Sequence, residues 1–168
     1  MSEEQAPPPV PLSEQLRARF PEAVIATHQQ AGDDTAVVRR DALRAVAQHL
    51  RDEPELAFNV LMDLTAVDGL KLGAASRFEV VYHFYSLEQN RRLRLKVPVE
   101  EQDPTVDSLA DLWPSANWFE REVWDMFGIR FRGHPSLKRL LMYEEFSGHP
   151  LRKDYPVNRR QPLIGPGN

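Results

Sequence analysis

The sequence predicts an α+β protein: a mostly antiparallel sheet of about five strands with helices packed on it, followed by an extended C-terminal tail. Three observations predict this. Apolar and polar residues alternate through 77–99, apolar residues recur at helical spacing in 43–50 and 118–127, and periodicity stops beyond Tyr155. With 168 residues, 42% of them apolar and 27% charged, there is material for one ordinary domain. Its expected limits are 12–154, with a disordered leader at 1–11 and the tail at 155–168.

Residues 1–11 hold four of the fourteen prolines and few apolar groups, which predicts disorder. Ser13 is placed to cap a short helix over Glu14–Phe20, stopped by Pro21. Ala23–Thr27 and Thr35–Arg39 read as strands around a turn at Gly32-Asp33-Asp34. Asp41 is placed to cap a second helix reaching about Arg51, with Leu43, Val46, Ala47 and Leu50 as its buried stripe.

Phe58–Val67, Arg77–Ser86 and Arg92–Val99 follow as strands. The short Leu87–Asn90 link makes the last two a hairpin, and Pro98 predicts either an edge strand or early loss of pairing. A helix is expected from about Val106 to Leu112, and another over Trp118–Phe127 that ends at Gly128 in the left-handed conformation.

Cysteine is absent, which excludes disulfides, cysteine nucleophiles and thiolate metal sites. The eight glycines form neither a dinucleotide nor a phosphate-binding loop. No serine stands in a nucleophile elbow. The net charge of −4 argues against nucleic acid as a partner. Charge is uneven, however: residues 117–160 carry nine Lys/Arg against six acids, while the remainder carries twelve against nineteen. No apolar run reaches the roughly 18 residues a membrane span requires. Glu100-Glu101 and Glu144-Glu145 fall in loops, where a solvated turn is the ordinary reading, and His83 reads as a satisfied strand histidine.

The densest segment is 120–141, EREVWDMFGIRFRGHPSLKRLL. On the helix it opens, Phe119, Val123, Met126 and Phe127 share one arc facing the sheet. Arg121, Glu122 and Asp125 gather opposite, beside Trp118, with Arg121 and Asp125 spaced to pair. Glu120 borders the apolar arc, which predicts a partner group or a raised pKa. Downstream, Phe131–Pro135 and Phe146–Pro150 repeat Phe-x-Gly-His-Pro, two corners whose histidines suit hydrogen bonds to backbone. A metal shared by His134, His149 and either Asp154 or Glu144 is the weaker reading, because no close third ligand accompanies the histidines.

Glu120-Arg121-Glu122, Asp125-Met126-Phe127-Gly128, Gly133-His134-Pro135 and Leu137–Leu141 together resemble the signature of one family. It is the C subunit, or thirty-kilodalton subunit, of respiratory NADH:quinone oxidoreductase, complex I. The likeness continues through Gly148–Pro156, with weaker echoes at Leu64–Asp68 and Trp113–Trp118, and departs at Lys138, where arginine is common. The resemblance implies a peripheral-arm protein at the cytoplasmic side of the cell membrane, touching the membrane only through its complex. It implies the quinone-site D subunit and other peripheral-arm subunits as partners. No redox cofactor is implied in this chain, and FMN, iron–sulfur clusters and quinone belong to partner subunits.

On this view Arg121, Glu122, Asp125, His134, Arg152, Lys153 and Asp154 form or support the surface for partners, and the tail docks on the D subunit. Charge reversal at Arg121 or Arg152 is expected to lower the amount of assembled complex. Two other readings stand beside it: a homologous component of a membrane-bound hydrogenase or ferredoxin-dependent complex, and a free-standing hydrolase built on the two histidine corners and Asp154.

Overall fold

The computed structural model describes residues 10–162. The leader expected at 1–11 falls outside that range apart from Val10 and Pro11, and the last part of the expected tail, 163–168, also lies outside it.

Helix α1 (Leu12–Arg19) leads into strands β1 (Val24–Gln30) and β2 (Asp33–Val38). Their turn is tighter than expected: Gln30 pairs with Asp33, leaving Ala31 and Gly32 alone in the connection at φ 53° and 86°. Two left-handed residues give the hairpin turn whose twist matches its strands. Asp34 thereby becomes available to α1, accepting from Ser13 N at 2.9 Å and from the Ser13 hydroxyl. Ser13 is therefore a buried helix residue served by the hairpin, and not the cap expected of it.

Asp41 does not cap α2 (Leu43–Asp52) either. It pairs with Arg39 at 3.0 and 2.6 Å, while a single 3₁₀ turn at Arg40–Ala42 enters the helix. The expected stripe of Leu43, Val46, Ala47 and Leu50 is completely buried.

Strands β3 (Val60–Asp68), β4 (Phe78–Ser86) and β5 (Arg91–Val99) complete a sheet ordered β1-β2-β5-β4-β3. Every neighbour pair is antiparallel except β2–β5. β5 is thus central, not an edge. Pro98 is tolerated because pairing with β2 ends at Lys96 opposite Val37, while Pro98 still faces Glu79 on β4. Phe78, Val80, Tyr82, Phe84 and alternate residues Leu93–Val99 pack into one core with the apolar sides of the helices. Glu79, His83, Arg94 and Lys96 are half-buried on the other face.

The helix expected over Val106–Leu112 is absent. Thr105–Asp107 instead form β6, parallel to β7 (Arg130–Arg132), with Val106 opposite Phe131 and both buried. A seven-residue helix is marginal alone, and pairing with a buried strand outweighs it. Only one turn survives, in which Leu112 N and Trp113 N both donate to Leu109 O at 2.9 Å.

Helix α3 (Ala116–Phe127) begins earlier than expected. Its preceding Ser115 makes no side-chain cap; the hydroxyl donates to Leu61 O at 3.2 Å and so ties the helix start to β3. Gly128 closes the helix at φ 77°, with its N–H on Trp124 O at 2.8 Å, as the sequence predicts.

Candidate docking site at the signature helix

Val123, Met126 and Phe127 of α3 are buried and Phe119 is half-buried, as the apolar arc requires. On the opposite side Glu122 and Trp118 are exposed. Asp125 departs from that grouping because it is completely buried. The chain after β7 returns over the outer side of α3 and encloses this carboxylate. Asp125 Oδ1 receives Arg139 at 2.5 Å, and Oδ2 receives the N–H groups of Leu140, Leu141 and Met142 at 3.0, 2.8 and 2.9 Å. Burial pushes the Asp125 pKa up, but these donors outweigh it and hold the group below its ordinary value.

The expected Arg121–Asp125 pair is accordingly not formed. Arg121 donates to Lys138 O and Arg139 O at 3.1 and 2.9 Å, and its guanidinium lies 4.9 Å from the Trp118 ring centroid.

Glu120, also completely buried, meets a different environment. It accepts from Ser108 Oγ at 2.6 Å and Leu109 N at 2.7 Å, with no cation paired to it among the described residues. Burial raises its pKa to about 7, only partly opposed by those two donors. The expected partner group and the expected shift are both present.

The segment 148–154 is a strap across the end of α3. A helix leaves its last carbonyls without intrahelical donors. Here Asp125 O receives His149 Nδ1 at 3.0 Å, Met126 O receives Leu151 N at 3.1 Å, and Phe127 O receives Arg152 Nε at 2.6 Å. Gly128 is required twice over: by its positive φ, and because a Cβ there would stand 2.6 Å from His149 Cδ2. Burial holds the His149 pKa below its usual value.

His134 serves the other end of the helix. Its Nδ1 accepts from Ser136 N at 3.0 Å, which places the ring proton on Nε2, facing Asn117 O at 3.0 Å. Both corners carry glycines at positive φ, 80° for Gly133 and 105° for Gly148, and both histidines meet backbone as expected. The carbonyls they serve are eight residues apart, about 12 Å along the helix. Among the described residues no three His, Asp or Glu groups are arranged to hold a metal.

Beyond α3 the strap reaches the end of the sheet. Asp68, closing β3, accepts from Lys153 N at 2.8 Å, Leu70 N at 2.9 Å and Arg77 Nη2 at 3.0 Å. Arg77 Nη2 also lies 2.9 Å from Asp154 Oδ1, and Nη1 lies 3.2 Å from Glu101. Its Nε is 2.9 Å from Asp68 Oδ1 but poorly aligned, so that contact is Coulombic and not a hydrogen bond. Although burial raises the Asp68 pKa, the Lys153 and Leu70 amides and Arg77 hold it low.

Farther on, Arg159 donates to Ser147 Oγ at 3.1 Å, Gln161 bonds the Ser147 backbone twice at 3.0 Å, and Tyr143 donates to Pro162 O at 3.0 Å. Through Pro162 the expected extended tail thus folds back onto residues 143–147.

Of the residues expected at the site, Asp125 and Arg152 lie inside its architecture, while Lys153 and Asp154 are gathered at the sheet end. Arg121 and His134 hold backbone, and Glu122 faces outward. Arg139, Arg77 and Asp68 are hubs that sequence reasoning misses. Arg139 and Asp68 lie within stretches that carry the resemblance, whereas the strand-leading position of Arg77 gives no sequence signal for its three carboxylate contacts.

Fold and site together define a class: an α+β domain whose charged signature fastens a C-terminal strap across the end of one helix. A profile described as respiratory-chain NADH dehydrogenase, 30 Kd subunit, matches residues 36–161, and the chain belongs to that family. It is 50% identical over 148 residues to the C subunit of NADH-quinone oxidoreductase from Roseiflexus sp. (strain RS-1), covering 88% of this chain and 84% of the relative. The C/D subunit of NADH-quinone oxidoreductase from Acidiphilium cryptum (strain JF-5) is 50% identical over 139 residues, 77% of this chain but 23% of that protein. A solved structure, the trypsin-resistant fragment (1-134) of Nqo5, has a TM-score of 0.67 at 34% identity, covering 75% of this chain and 96% of the fragment. The chain is a subunit of NADH-quinone oxidoreductase, of the C type. Among the described residues no helix is long and apolar enough to cross a membrane.

Proposed function

We propose that this chain docks on the D subunit in the peripheral arm of complex I, at the cytoplasmic side of the membrane, through the outer side of α3 and the strap. The observation that carries this reading is the exposure left once the signature has satisfied its own chain. Trp118 is 59% exposed beneath the Arg121 guanidinium, and Leu141 and Leu151 are 56% and 50% exposed. Glu122 and Lys153 are exposed and have no ion-pair partner among the described residues. Exposed tryptophan and arginine are the residue types enriched in interface hot spots.

The Acidiphilium protein, whose name joins C and D, supports the D subunit as the neighbour. On this reading FMN, iron–sulfur clusters and quinone are held by partner chains. The electrons pass from NADH to quinone there, coupled to proton translocation, and this chain supplies position.

Charge reversal at Arg121 or Arg152 is an indirect test, because both guanidiniums hold this chain's own carbonyls. Trp118→Ala and Lys153→Glu are cleaner. Each should leave the isolated chain folded and lower the yield of assembled complex, since losing an anchor of this kind costs about 2 kcal/mol or more of binding. Normal assembly and turnover in both variants would remove this surface from the interface.

A further inference from the structure

We propose that Arg77, far upstream of the signature, is the positioning residue that orders the strap before a partner arrives. The proposal rests on the docking reading above and adds how the docking surface is held. The Arg77 side chain is only 7% exposed, yet it contacts carboxylates from three places: Asp68 at the end of β3, Glu101 beyond β5, and Asp154 in the strap. A buried guanidinium is stable only where carboxylates compensate it, and its planar fork lets one cation address several at once.

Three successive strap residues are held in different ways. Arg152 points to the helix end, where it caps Phe127 O, with its guanidinium 5.0 Å from the Phe78 ring centroid. Lys153 is held by its backbone N–H on Asp68, which leaves its side chain to solvent. Asp154 is held by Arg77, whose own guanidinium lies 5.1 Å from the same Phe78 ring. The strap therefore bridges the end of α3 and the end of the sheet. A partner that meets a surface already fixed avoids the ordering cost that a loose segment would carry into binding.

The test uses the full-length chain and its cognate D subunit. Asp154→Asn removes the strap's side of the contact and leaves the Asp68–Arg77 pair in place. Arg77→Lys keeps the charge without the fork. Glu101→Gln touches Arg77 but not the strap. In the free chain, Asp154→Asn and Arg77→Lys should each raise hydrogen exchange at the amides of residues 151–155 about tenfold, and each should weaken binding to the D subunit about tenfold. The double variant should be no worse than the weaker single, because both substitutions remove one contact. Glu101→Gln should leave both readouts at wild-type values.

Wild-type exchange in Asp154→Asn and Arg77→Lys would overturn the proposal. So would losses that add in the double variant, which mark Arg77 as a support of the core alone. A wild-type chain that does not bind the D subunit would overturn the docking reading instead, and the exchange measurement would still decide whether Arg77 orders the strap.

Discussion

Glu120 and Asp125 are two completely buried acids on one helix, five residues apart, and their electrostatics run in opposite directions. Asp125 has Arg139 and three backbone N–H groups, and its pKa lies below the ordinary value. Glu120 has a hydroxyl and one N–H, no cation among the described residues, and a pKa raised to about 7. Burial penalises both charges equally in kind; the number and charge of the donors decides the outcome. The difference also separates two tasks. Asp125 gathers the 139–142 loop and stands beneath the strap, whereas Glu120 fastens the turn at Ser108-Leu109 to the core.

The largest effect should come from Asp125→Asn. An amide can accept from only part of the donor set, and Arg139 is left half-buried without its counterion. Breaking such a pair costs about 3–5 kcal/mol. Chemical denaturation should show that loss, and proton exchange at residues 139–142 should rise with it. An unfolding free energy within about 0.5 kcal/mol of wild type, the usual scale of surface substitutions, would show that the cradle is not a stabilising unit.

Glu120 breaks the comparison by pH. Its folded pKa is above its unfolded value of 4.5, so its contribution is fully present below about 4.5 and is lost as pH rises toward 7. The loss amounts to about 3 kcal/mol across that window. Asp125 and Asp68 behave inversely: their folded values are depressed, so their stabilisation is present above about 3.8 and disappears as pH falls. Glu120→Gln should therefore flatten the decline of stability between about pH 5 and about pH 7.5. A wild-type minus variant difference that stays constant over that range would mean Glu120 does not titrate there.

The contrast between the acids was partly legible in the sequence. Glu120 stands out because it borders the apolar arc at helical spacing, and both its burial and its raised pKa follow. Asp125 sits on the polar side of the same periodicity, and nothing periodic announces that a loop fifteen residues later will cover it. Hydrophobic alternation likewise predicts β3, β4 and β5, since period-two patterning directly encodes a half-buried strand. It could not place β5 at the centre, because the β2–β5 pairing is parallel and joins residues some sixty apart. The helix expected over Val106–Leu112 failed for the same reason: its competitor, β7, lies more than twenty residues downstream. Arg77 is the clearest case. Its three carboxylates come from three elements, and only the assembled fold brings them together.

Gly128→Ala probes the Asp125 side alone. The left-handed conformation costs a residue with a Cβ about 1–2 kcal/mol. Because that Cβ would also stand 2.6 Å from His149, the strap must shift away. Amide exchange at residues 149–152 should rise, while exchange at Ser108 and Leu109, on the Glu120 side, should not. Equal loosening at both places would show that the two acids belong to one cooperative unit and that the comparison is only electrostatic.

The smallest effect belongs to the first Gly-His-Pro corner. His134 makes two hydrogen bonds, to Asn117 O and from Ser136 N, at the start of α3, where other contacts already fix the helix. His149 supplies a donor to a carbonyl at the helix end, and Gly128 is packed directly against its ring. His134→Ala should therefore cost about 1 kcal/mol, the net worth of its hydrogen bond to Asn117 O, because the exposed Ser136 N–H turns to water instead. It should leave exchange in the strap unchanged. His149→Ala should cost more, because it also opens a cavity against Gly128 and leaves Asp125 O without its donor. Two sequences that read as copies are thus separated by what each histidine caps. Equal costs at the two positions would mean that the strap is not the cap of α3.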